Sequence, residues 1–152
     1  MHISLLPACR RFCQGLGAIH ISLLPACRGF CQGLGAMHIS QLLQRDGRNG
    51  LITTSLATAG KTGTLRDTFL SGPGAGTMRA KTGTLNGVKS LSGMFPLDDG
   101  RTTFFSLIMN GSGASTLNFY RPIWNNLAAG LASGNARLNV DDLLPVANNE
   151  EP

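Results

Sequence analysis

The chain has 152 residues, with 13 Lys and Arg against 8 Asp and Glu, 20 Gly, and a single Trp and Tyr. That length fits one domain, or a piece of a larger one, and suffices to bury a core. No stretch reaches the roughly 20 apolar residues of a membrane span, and the scattered positive charge with few stacking rings argues against nucleic acid as a partner.

The charge is unevenly placed. Arg10, Arg11, Arg28, Arg45 and Arg48 face only Asp46, whereas from Leu51 onward eight basic residues nearly balance seven acidic ones. The same N-terminal region is repetitive. Residues 2–18 and 20–36 differ only at Arg11 versus Gly29, a third copy begins at His38-Ile39-Ser40, and the period is 18 residues. Solenoid repeats diverge in detail and usually need three or more units of about 20 residues or longer. Two near-identical copies indicate a recent duplication or sequence that never specified a fold. Residues 1–40 are therefore expected to form a leader outside the fold.

The leader holds all four cysteines, Cys9, Cys13, Cys27 and Cys31. With His2 and His20 they match no zinc spacing, so no metal or other cofactor is called for. Leu6-Pro7-Ala8-Cys9 faintly resembles a lipoprotein cleavage box. Its apolar run is shorter than the ~7–15 residues of a signal core, and no basic residue precedes that run. Four Cys allow three pairings, and the sequence does not choose among them.

Gln41 to Arg45 fits a helical turn that Asp46-Gly47-Arg48-Asn49-Gly50 ends. Leu51 to Ala59 reads as loop or short extended chain. Ser55 to Thr62, with Gly60-Lys61-Thr62, approaches a phosphate-binding loop, but Ser55 stands where Gly is required. That loop also needs a buried strand before it and a helix after it. Nucleotide binding through Lys61 is kept as an alternative. Leu65 to Leu70 suggests a short helix with Leu65 and Phe69 on one face, ended by Ser71-Gly72-Pro73-Gly74.

Three strands follow. Thr77 to Leu85 is Thr-rich, and Asn86-Gly87 is a strong turn pair. Val88 to Leu97 is the second strand, with Gly93 permitting close backbone approach and Pro96 near its end. After the turn at Asp98 to Arg101, Thr102 to Met109 is the third. Its run Phe104-Phe105-Ser106-Leu107-Ile108-Met109 has no alternation, which suits a strand covered on both faces. Short connections make this an antiparallel meander. A helix from Leu117 or Asn118 to about Ala132 carries Tyr120, Ile123, Trp124, Leu127 and Leu131 on one stripe. Pro122 is tolerable there only near the first turn. The fold class is α/β (α+β): an antiparallel sheet with a C-terminal helix across it.

Gly74 to Gly93, containing Arg79-Ala80-Lys81-Thr82-Gly83-Thr84-Leu85-Asn86-Gly87-Val88, resembles the D-alanyl-D-alanine carboxypeptidase/endopeptidase group of penicillin-binding proteins. Leu56 to Arg66 is similar to the family's segment upstream of the Lys-Thr-Gly strand. The likeness runs over residues 41–135, leaving 136–152 as a tail. A lone Lys-Thr-Gly is weak, whereas this ordered block is specific. The resemblance implies a transpeptidase-type fold and a cell-envelope or periplasmic setting. It also implies a peptidoglycan stem peptide, or a β-lactam, as partner. Lys81 would then bring positive charge to the cleft, Thr82 or Thr84 would hydrogen-bond substrate, and Gly83 would let the strand approach closely. On residue pattern alone, Lys81 reads first as an edge-strand lysine that discourages aggregation, and the family block reverses that order.

Family members attack through a Ser in an S-x-x-K motif and use a second motif, S-x-N. The three lysines, Lys61, Lys81 and Lys89, are preceded three positions earlier by Thr58, Met78 and Asn86. The 152 residues thus hold no S-x-x-K, and the one S-x-N, Ser133-Gly134-Asn135, follows the Lys-Thr-Gly instead of preceding it. No His has an acidic partner placed for a triad. The expectation is a truncated serine-type carboxypeptidase, inactive alone. Its alternatives are a non-covalent peptidoglycan-peptide binding module and the nucleotide reading.

Overall fold

The computed structural model describes residues 18–23, 30–134, 138 and 141–145. Strand β1 spans Ala18–Leu23, helix α1 Phe30–Asp46, helix α2 Leu51–Ser55 and strand β2 Ala57–Thr58. A 3-10 turn at Gly63–Leu65 follows, then β3 (Arg79–Leu85), β4 (Val88–Pro96), β5 (Thr102–Asn110) and helix α3 (Leu117–Ala132). The sheet order is β1-β5-β4-β3-β2. Strands β2 to β5 are antiparallel, and β1 joins the far edge parallel to β5. The α+β class and the three-strand meander stand as read, with strand ends shifted by one or two residues.

The Asn86-Gly87 turn sets the register. It closes on the pair Leu85↔Val88, and every β3–β4 partner follows from that pair. Thr82 faces Leu91 and Ala80 faces Gly93, while Leu91 and Gly93 face Leu107 and Phe105 on β5. Because directly opposed residues share a face, Ala80, Leu91, Phe105, Leu107 and Met109 line one side of the sheet. Helix α3 covers that side with Ile123, Trp124, Leu127, Ala128 and Leu131, all buried in one apolar cluster. On the opposite face Met94 and Phe104 pack under Leu43 of α1. An apolar run with no alternation is what a strand sandwiched between two helices requires.

Four local expectations change. Leu51–Ser55 is helical, not extended, because Asp46 accepts a 2.7 Å hydrogen bond from the Thr53 N–H and so satisfies an orphan donor of the first turn. The capping residue lies seven positions upstream, so no adjacent cap signals the helix. The helix expected over Leu65 to Leu70 shrinks to the 3-10 turn, because Phe69 adopts φ 57°. That left-handed conformation is a true outlier for a bulky residue, and it carries the Phe69 ring into the core, stacked 6.2 Å from Trp124. Pro122 lies within α3, at its sixth residue, so the N–H that would bond the carbonyl four residues back is missing.

The fourth change concerns the chain ends. β1 and the first part of α1 fall in the span expected to stand outside the fold, yet β1 pairs with β5 over six residues and α1 packs on β1, β5 and β4. Strand addition proceeds through backbone groups, which any sequence carries. His-Ile-Ser is strand at His20 to Ser22 and helix at His38 to Ser40, so surroundings decide its conformation. In the span expected as a tail, Leu143 is fully buried, and its carbonyl accepts from Asn126 of α3 at 3.1 Å. Of the His and Cys that match no zinc spacing, His2, Cys9, Cys13 and Cys27 lie outside the described residues, as does Asn135 of the S-x-N.

Two predictions follow from packing and capping. A Cβ at Gly93 would collide with the Arg79 carbonyl and with Ala80. Gly93→Ala is therefore expected to cost about 1–3 kcal/mol in urea unfolding through overpacking. Gly100→Ala, where a Cβ meets open space, pays only for its positive φ of 85° and should cost less. Asp46 has its carboxyl pKa held below the ordinary 3.8, chiefly by the Thr53 backbone hydrogen bond. A depressed folded-state pKa gives stability that is complete above the unfolded value and lost as pH falls through the folded one. Asp46→Asn should accordingly lower the melting temperature at pH 7, and the difference from wild type should shrink below pH 3.8.

Candidate functional site

Strand β3 is covered unequally along its outer edge. β2 pairs with only Ala80 and Arg79, so the edge from Lys81 to Leu85 has no strand beside it among the described residues. The parity of the exposed groups follows from one bond. Ala59 N–H donates to the Met78 carbonyl at 2.9 Å, so the Met78 carbonyl and, two residues on, the Ala80 backbone groups are directed toward β2. By the same alternation Thr82 and Thr84 present N–H and C=O to the open edge, while Lys81 and Gly83 exchange theirs with β4.

The side chains divide the other way. Lys81 and Gly83 lie on the α1 side, opposite Ser92 and Ser90. Thr82 and Thr84 lie on the α3 side, opposite Leu91 and Lys89. The four predicted site residues thus meet at the strand edge and not in one pocket. The exposed Lys81 ammonium folds over that edge and donates to the Thr82 carbonyl at 2.5 Å, placing a cation beside the open backbone groups. A Cβ at Gly83 would meet the Ser90 hydroxyl, the end of a side chain that can rotate away. Ser92 and Ser106 bond each other across β4 and β5 at 2.8 Å.

The second Lys-Thr-Gly, at Lys61 to Gly63, sits beside the first. Thr82 and Thr64 share a 3.0 Å hydroxyl hydrogen bond, which docks the 3-10 turn against β3. Lys61 donates to the Gly76 carbonyl at 3.1 Å, and Thr62 accepts from the Thr58 N–H at 2.8 Å. A two-residue strand precedes this segment and a three-residue 3-10 turn follows it. The strand–loop–helix frame of a phosphate-binding loop is missing, and the nucleotide reading loses its structural basis.

Sequence reasoning missed Lys89. It lies opposite Thr84 and donates to the Thr84 hydroxyl at 2.8 Å. Its ammonium stands 4.2 Å from the centre of the Tyr120 ring and 5.3 Å from that of Trp124. Partial burial lowers its pKa from the ordinary lysine value of 10.5. The signal was available, since the Asn86-Gly87 turn already places Lys89 against Thr84. An open pocket lined by Phe69, Leu70, Ser71, Pro73, Arg121, Asn125 and Ala128 takes no residue from β3, and so does not belong to this edge. No helix among the described residues is long and apolar enough to cross a membrane.

A strand edge with a cation, two threonines and outward backbone groups suits an extended anionic chain end, whatever the chemistry that follows. No curated protein matches the chain. A family model does: that of the D-Ala-D-Ala carboxypeptidase 3 (S13) family covers residues 34–128, more than half of the chain, and the chain belongs to that family of peptidases.

Proposed function

We propose that the β3 edge is the recognition wall of a serine-type D-Ala-D-Ala carboxypeptidase/endopeptidase of the cell envelope. It receives the D-Ala-D-Ala end of a peptidoglycan stem peptide, or a β-lactam in its place. The observation that carries this reading is the uncovered stretch of β3 beyond the two residues paired with β2. An added peptide strand there meets the Thr82 and Thr84 backbone groups, which supply affinity without regard to side chains. Lys81 supplies the charge that a peptide carboxylate needs, Thr82 and Thr84 supply hydroxyls, and Gly83 keeps the strand thin.

Acyl transfer requires a nucleophile, a base and an oxyanion site within mutual reach. The 152 residues contain no S-x-x-K, and Ser92 and Ser106 are engaged with each other at 2.8 Å. The function proposed for these residues is therefore binding, with the bond-breaking step absent from the chain as it stands. The nucleotide reading has no such support, because Lys61 is held on the Gly76 carbonyl.

Two measurements test this. Incubation of the purified chain with a labelled penicillin should give no covalent adduct, and a stable adduct would overturn the assignment of binding without chemistry. A D-Ala-D-Ala peptide should bind reversibly, with affinity falling about tenfold in Lys81→Ala from loss of a charge-assisted contact. Equal binding by wild type and variant would remove Lys81 from the site.

A further inference from the structure

We propose that Lys89 is a positioning residue that fixes the Thr84 hydroxyl as a hydrogen-bond donor, tuning the β3 edge to a carboxylate in preference to an amide. The inference rests on the reading of that edge given above, and it adds a residue that the Lys-Thr-Gly pattern does not contain.

The argument begins with donor counting. A lysine ammonium has three protons and no acceptor, whereas a threonine hydroxyl has one proton and two lone pairs. Lys89 Nζ lies 2.8 Å from Thr84 Oγ1, so the hydroxyl must accept in this bond. One lone pair is thereby used, and the threonine's own proton remains free to donate outward. Thr84 is exposed, and its backbone groups face the uncovered edge. A ligand there meets a hydroxyl proton backed by a cation, and an anionic oxygen answers both. A neutral amide terminus offers one carbonyl oxygen with no charge to answer the cation, and its NH₂ competes for the single lone pair that Lys89 leaves on the hydroxyl.

What distinguishes Lys89 from an ordinary surface lysine is how it is held. Its ammonium lies over the Tyr120 ring at 4.2 Å and near the Trp124 ring at 5.3 Å, distances at which a cation is attracted to the ring face. Trp124 is fixed in turn, fully packed in the core, tilted against Tyr120 at 4.6 Å and stacked with Phe69 at 6.2 Å. The cross-strand register puts Lys89 opposite Thr84 at a non-hydrogen-bonded pair, where side chains approach most closely. The ammonium is thus clamped between two aromatic rings on one side and one hydroxyl on the other. Thr82, by contrast, bonds another hydroxyl, that of Thr64. In that bond Thr82 donates, so its proton is turned to Thr64 and not outward.

Binding to the full chain of a D-Ala-D-Ala peptide with a free C-terminal carboxylate is compared with its C-terminal amide, for wild type, Lys89→Met, Lys89→Arg and Thr84→Val. Met keeps the length of the apolar stem but removes donor and charge. Wild type should prefer the acid, and Lys89→Met should lose about tenfold in affinity for the acid while binding the amide as before. Lys89→Arg should restore the preference. Retained acid preference in Lys89→Met overturns the proposal. A measurement without peptide separates the contact from the ligand reading: a double-mutant cycle of Lys89→Met and Thr84→Val on the unfolding equilibrium. The contact predicts non-additivity of at least about twofold in the unfolding constant, and strict additivity overturns it. Coupling in that cycle with no binding of either peptide by wild type would instead overturn the reading of the β3 edge, and the ligand role of Lys89 with it.

Discussion

The β3–β4 hairpin register is the constraint on which the rest depends. One turn, Asn86-Gly87, closes the pair Leu85↔Val88 and thereby assigns every residue of both strands to a face. A slip of one residue would reverse all of these assignments at once. Leu91 would leave the core, and Gly93 would no longer lie against Ala80, where a Cβ has no room. The register is thus overdetermined by packing as well as by the turn. The chemistry of the edge inherits it: Thr84 meets Lys89, Gly83 meets Ser90, and the alternation that buries Leu91 also turns the Thr82 and Thr84 backbone outward.

The second organising element is Trp124. It joins α3 to the sheet and also gathers the loop before β3, through Phe69, and the hairpin beyond it, through Lys89. The left-handed Phe69 costs about 1–2 kcal/mol of backbone energy. Burying an aromatic side chain contributes about 1.5–3 kcal/mol, enough to hold that conformation. The same core contact that strains the loop brings the segment after Lys61 back toward β3. There Thr64 meets Thr82. Edge, loop and helix are parts of one packed unit, joined through the Thr82–Thr64 bond and the contacts of Trp124.

Much of this was legible in the sequence where the signal is local. Turn pairs marked the hairpin ends, the run Phe104 to Met109 with its lack of alternation marked a strand covered on both faces, and the stripe from Tyr120 to Leu131 marked α3. The illegible parts share a cause: their determinants lie elsewhere in the chain. Helix α2 depends on Asp46, outside any adjacent capping position. The Phe69 conformation depends on a tryptophan far along the sequence. His-Ile-Ser is strand in one copy and helix in another, so no propensity argument can assign it. The candidate site divides in the same way. Lys81 to Thr84 are conspicuous as a motif, while Lys89 acquires meaning only through the strand opposite and the rings beneath.

The proposed separation of binding from bond breaking follows from how such a site is assembled. A strand edge offers backbone hydrogen bonds through local structure alone, and it survives wherever the hairpin and its covering helix fold together. A nucleophile with its base needs side chains brought within about 3 Å by elements distant in sequence. Here the hairpin and α3 are tied to each other by Trp124, and the Lys-Thr-Gly lysine reaches the edge through a contact with its own neighbour, Thr82. Nothing in that contact calls on a second motif. The binding edge proposed here is therefore built from local structure alone, whereas these 152 residues hold no S-x-x-K to supply the nucleophile that acyl transfer needs.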